Sequence, residues 1–149
     1  MAVWRRARPD PAAEAAWTGF LSFARALDEG SRALLATVPS ARRPGAPLDA
    51  GVAGFLAGLD AARAELAAWD HPALAEHRAA AAAALGAAER RARDLPAAVA
   101  GLEFEHRNER VADVLDELLP VQAAEQAVRA LRRGRQPARA GGRQTRQGR

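Results

Sequence analysis

A chain in which 41 of 149 residues are alanine has few ways to fold. Alanine is the best helix former, and the β-branched residues that favour strands are scarce here, so sheet is not expected. Alanine also buries little area. A core must then come from helices that approach one another closely, with a few large side chains filling the space between them. With 149 residues the chain is long enough to enclose such a core in one domain. The expected fold is all-α: an antiparallel helical bundle of four long helical segments plus a short C-terminal helix. Residues 1–9 read as a basic N-terminal arm, 10–133 as the bundle domain and 134–149 as a disordered arginine-rich tail.

Start and stop signals divide the domain. Asp10 caps a first helix, with Pro11 at its first position and Glu14 reaching back. Ala13, Trp17, Phe20, Ala24, Leu27, Ser31, Leu34 and Val38 keep a four-three rhythm across Gly30, which predicts one helix to about Val38, with a break at Gly30 as the alternative. Residues 39–48, with three prolines and Gly45, form a loop. Asp49 is the expected N-cap of a second helix with Phe55, Leu59, Ala62, Leu66 and Trp69 inside. Gly51, Gly54 and Gly58 provide small residues for close helix contact. Asp70 is the expected cap of a third helix opened by His71 and Pro72, with Leu74, Ala81, Leu85, Ala88, Ala92 and Leu95 on its inner face.

Asp94 is the expected cap of the fourth helix, with Pro96 in its first turn, where a missing N–H costs nothing. Phe104, Asn108, Val111, Leu115 and Leu118 then follow the spacing of one buried face. On that reading Leu115→Ala costs several kcal/mol and His106→Ala little. Pro120 disfavours helix at Leu119, so a break there opens the last helix, which Gly134 stops after Arg133.

The formal charge of +4 hides an asymmetry. Every one of the 22 basic residues is arginine. Ten of them lie at the two ends, before Asp10 or from Arg132 onward, leaving 12 basic against 18 acidic residues in an acidic body. Arg135, Arg139, Arg143, Arg146 and Arg149 are the candidate contacts for nucleic acid or an acidic partner. Phosphate contact of that kind is independent of sequence and sensitive to salt. No aromatic residue follows Phe104, so the tail itself cannot stack on bases.

Candidate chemistry is sparse. Glu103 and His106 form a Glu-x-x-His pair, the half-motif that di-iron bundles use twice, and they are the candidate metal ligands. A fold-back near residue 95 sets His77 level with Asp113 and ~10 Å from the level of His106, too far to share an ion. His71 reads as a helix-start residue and His77 as exposed. Trp17 and Trp69 read as core, and Trp4 as an anchor. The segment Glu109–Leu115 resembles the acidic, magnesium-holding helix of all-α nucleotide pyrophosphohydrolases. Those enzymes also carry a Glu-Glu-x-x-Glu helix, which this chain lacks, so no membership follows.

With no cysteine, disulfides and thiolate metal sites are excluded. No apolar run of about 18 residues offers a membrane span. The Arg5–Arg6 pair is followed by Arg8, Pro9 and Asp10 rather than an apolar stretch, so no signal peptide is read and a cytoplasmic location is the default. The reading is a non-enzymatic protein without a cofactor, acting in protein–protein interaction or as a scaffold, through a protein partner or as a homo-oligomer. The alternatives are a nucleic-acid accessory protein using its arginine-rich ends, and a metal-dependent enzyme using Glu103 and His106.

Overall fold

A computed structural model describes residues 8–141. The described residues form five α-helices and no strand: α1 (Pro11–Leu35), α2 (Leu48–Ala64), α3 (Ala75–Val99), α4 (Phe104–Asp116) and α5 (Leu119–Arg132). Two 3₁₀ turns, Leu66–Trp69 and Pro72–Leu74, join α2 to α3. None of these helices is long and apolar enough to cross a membrane.

Helix α1 starts as its sequence dictates. The Asp10 carboxylate accepts from the Ala12 N–H at 3.0 Å, and Pro11 occupies the first turn. The helix runs unbroken through Gly30 to Leu35, because Gly30 sits where α1 crosses α2. A Cβ built on Gly30 would stand 3.1 Å from the Gly58 Cα. Ala13, Phe20, Leu27 and Leu34 are buried as the rhythm requires, but their flank is Ala16, Gly19, Phe23 and Gly30 rather than Trp17, Ala24 and Ser31. Close backbone approach favours the side of the helix that carries its small residues.

Two expected caps are displaced. Helix α2 begins at Leu48 after Pro47, so Asp49 lies inside the first turn and caps nothing. Asp70 is not the cap of the third helix. The His71 Nδ1 accepts from the Ala73 N–H at 3.1 Å and opens the second 3₁₀ turn, while Asp70 pairs with Arg78. The second expected helix also stops early: α2 ends at Ala64, and Trp69 reaches the core from the 3₁₀ turn after it.

The largest correction concerns the stretch around Pro96. Helix α3 continues through Pro96 to Val99, so Asp94 starts no helix. Pro96 lies in the last turn, where it forfeits one bond to the Ala92 carbonyl without breaking the helix. The chain reverses at Gly101, whose φ of 74° suits a residue without a Cβ. The fourth helix is therefore 13 residues, and α5 at 14 residues is not the shorter of the two.

The proposed stripe on α4 is only partly inside. Val111 and Val114 are buried, Asn108, Leu115 and Leu118 are at the margin, and Phe104 is 49% exposed. Leu115→Ala should therefore cost about 1–2 kcal/mol, because much of the side chain already meets solvent. Leu85→Ala, wholly enclosed on α3, should cost about 2–5 kcal/mol. Urea denaturation of the two variants tests this ordering. The reverse order would place α4, not α3, at the centre.

Helix α1 packs most extensively on α2 and also touches α5 and the 3₁₀ turn ending at Trp69. Helix α3 contacts α2, α4 and α5. The core is one continuous cluster with Trp69, Phe20, Phe23 and Phe55 as its largest members. Pro120 sits in the first turn of α5, and Gly134, with φ of 70°, terminates that helix. There the Gly134 and Arg135 N–H groups donate to the Leu131 and Ala130 carbonyls.

Candidate functional site

Helix α5 ends beside the start of α1. This brings Arg8 of one end and Arg132 and Arg133 of the other to one place. Arg8, Pro9, Asp10, Glu14 and Trp17 from one end, with Arg129, Leu131, Arg132, Arg133 and Gly134 from the other, line a cleft of about 410 Å³. Arg129 and Arg132 lie three residues apart in the last turn of α5, hence on one face. Their guanidinium carbons stand 5.2 and 5.3 Å from the Trp17 ring centre. A cation over an indole face at this distance is attracted by the ring quadrupole.

Carboxylates fix both side chains further. Glu125 accepts from Arg129 at 2.7 Å and Glu14 accepts from Arg132 at 2.9 Å. Asp10 is committed to capping α1 and stands 3.9 Å from His71 Nε2. Arg8 and Arg133 are exposed, and neither has a carboxylate within ion-pair reach among the described residues. The cleft thus contains two braced guanidiniums and two unbraced ones. Trp17, half-buried rather than core, is its floor.

Glu103 and His106, the candidate metal pair, both lie exposed at the start of α4. Glu103 precedes α4 with its side chain in solvent and caps nothing. His106 is exposed, with Nδ1 3.6 Å from Glu109 Oε2. Asp113 of the same acidic helix is engaged by Arg110 at 3.3 Å. Among the described residues no three His, Asp or Glu side chains stand close enough to hold an ion.

His77 is 4% exposed rather than solvated. The chain reverses at Gly101 rather than near residue 95, so His77 faces α5 and the segment beyond it, not Asp113. Its Nε2 lies 2.7 Å from the Ala138 carbonyl oxygen. A carbonyl only accepts, so the ring donates there from Nε2. Arg135 and Arg139 flank that contact with Ala123, Gln126 and Ala127 of α5. The stretch read as a disordered tail, 134–149, thus touches the body at Ala138. Trp4, Arg143, Arg146 and Arg149 lie outside the described residues.

Away from the cleft, Arg63 of α2 bridges Asp60 at 2.9 Å and Glu89 of α3 at 2.6 Å, and Arg93 holds Glu89 at 2.9 Å. Hydrogen bonds from Arg93 and then Arg63 lower the Glu89 pKa from its ordinary value. A carboxylate whose folded pKa is depressed stabilises the fold above its unfolded pKa, and that contribution is lost as pH falls through the folded value. Glu89→Gln should therefore lower the melting temperature at neutral pH, and the gap to wild type should close below about pH 4. Melting curves at stepped pH check this. A gap that widens on acidification would contradict it.

The sequence reading missed the cleft because it placed Trp17 in the core. The spacing of Arg129 and Arg132 was the available signal. No protein-family model, no curated protein and no solved structure matches the chain.

Proposed function

We propose that this chain is a non-enzymatic protein, built as an antiparallel helical bundle, that acts by binding, and that its arginine-rich end is the contact surface. One observation carries the reading: Arg8, Arg129, Arg132 and Arg133 line one cleft although they come from opposite ends of the sequence. Basic ends that looked like separate solvated tails thus act as one electropositive face on an acidic body. Such a face steers and holds an anionic partner.

Two partners suit such a face, an acidic protein and a nucleic acid. The all-arginine composition favours nucleic acid, because a guanidinium fork matches phosphate oxygens two at a time. The contact would be with the backbone, since the Trp17 ring already carries guanidiniums. A cytoplasmic location belongs to the same proposal, as does a scaffold role in which the acidic body meets a second protein.

Fluorescence anisotropy with labelled duplex DNA, single-stranded DNA and a poly-glutamate peptide tests the reading. We expect nucleic acid to bind and its affinity to fall steeply between about 50 and 200 mM salt. Preference for the peptide would return the proposal to a protein partner. Binding to none of the three at low salt would overturn it.

A further inference from the structure

We propose that the Trp17 cleft is a seat for a phosphate group, gripped by Arg8 and Arg133 and framed by Arg129 and Arg132. This rests on the phosphate-contact reading above and gives it a site. The four guanidiniums have unequal freedom. Glu125, Glu14 and the Trp17 ring hold Arg129 and Arg132 in place. These two set the positive field of the cleft while their carboxylates use part of their hydrogen-bonding capacity. Arg8 and Arg133 have no such partner among the described residues, so their forks are available to an incoming oxyanion.

Size and charge agree with this. A volume of about 410 Å³ falls in the range of small-ligand sites, and it exceeds what one phosphate needs. A nucleotide unit or a short run of linked phosphates fits better than a single ion. Four arginines face only Asp10 and Glu14 in the lining, so the cleft stays positive. Asp10 is occupied by the Ala12 N–H and Glu14 by Arg132, which leaves less of their charge directed at a ligand.

The ligand chemistry has two sources, a free oligophosphate or the backbone of a nucleic acid. Calorimetry with inorganic tripolyphosphate and anisotropy with a labelled single strand separate them. The variants are the double change Arg8→Ala/Arg133→Ala and, as a control away from the cleft, Arg42→Ala/Arg43→Ala. All four positions are exposed, so melting curves should show both proteins folded.

We expect saturable one-site binding of tripolyphosphate, weakened at least about tenfold by the cleft variant and less than about threefold by the control, in line with loss of charge-assisted contacts. A parallel loss with the oligonucleotide identifies the backbone as the source. A loss with tripolyphosphate alone identifies a small phosphorylated compound. Tripolyphosphate that does not saturate, or that weakens equally in both variants, overturns the seat. If tripolyphosphate fails in either of these ways while the oligonucleotide still binds wild type, the seat is wrong and the phosphate-contact reading survives. If neither probe binds wild type, both are wrong.

Discussion

Gly19→Ala should destabilise the protein by about 3 kcal/mol or more, the upper end of what an overpacked site costs. Helix α1 crosses the 3₁₀ turn at Leu66–Trp69 with Gly19 directly beneath its backbone. A methyl group there would overlap the Ala68 carbonyl and come within 2.9 Å of the Trp69 nitrogen. The obstacle is backbone, so no side chain can rotate away. The turn cannot lift without withdrawing Trp69 from between Phe20 and Phe23. Gly86→Ala is the matched control. It too lies in a helix interior, but its nearest neighbour is the tip of Arg90 at 3.5 Å. There alanine should stabilise by about 0.5–1 kcal/mol through reduced backbone freedom of the unfolded chain. Chemical denaturation of the pair reads both signs. A neutral Gly19→Ala would show that α1 does not lie on that turn.

Trp69→Ala should cost about 3–5 kcal/mol, a large share of the total stability of a domain this size. Its ring centre lies 5.2 Å from Phe20, edge to face, and 5.3 Å from Phe23. It is wholly enclosed where α1 meets the turn after α2. Its ring neighbours Phe20 and Phe23 are anchored on α1, which limits how far the core can collapse into the space. Trp69→Phe should be far milder. It retains an aromatic ring and removes an indole N–H that is buried with no hydrogen-bond partner among the described residues, a group whose burial itself costs about 1–3 kcal/mol. Thermal melts followed by circular dichroism compare the two. Equal losses would mean that the indole N–H has a partner after all.

Much of the fold was legible because alanine-rich helices declare themselves by cap, period and stop. Asp10 with Pro11, the face from Leu74 to Leu95 and the Gly134 stop all appear where the residues place them. The fourth helix was misread for a physical reason. Proline tolerates the first turn of a helix and the last turn of the one before it, so Pro96 admits both readings locally. Tertiary packing of Leu95 and Val99 decides for the earlier helix. The flank of α1 was misread because period analysis rewards large residues, whereas this core also uses Ala16, Gly19 and Gly30 as points of close approach.

The cleft was less legible still. Its arginines were visible as charge, and Arg129 and Arg132 as neighbours on one face. Their meeting with Arg8 and Trp17 depends on where α5 ends relative to α1, and no local rule contains that distance. The same holds for His77, whose burial depends on a residue 61 positions away.

The central claim is that the two basic ends form one surface, and a distance measurement tests it most directly. The chain has no cysteine, so Arg8→Cys/Arg133→Cys accepts two spin labels and no others. Pulsed electron–electron resonance on the full chain should give a single short distance, well below the ~37 Å length of the 25-residue helix α1. A broad distribution centred beyond that length would place the ends apart and contradict the claim.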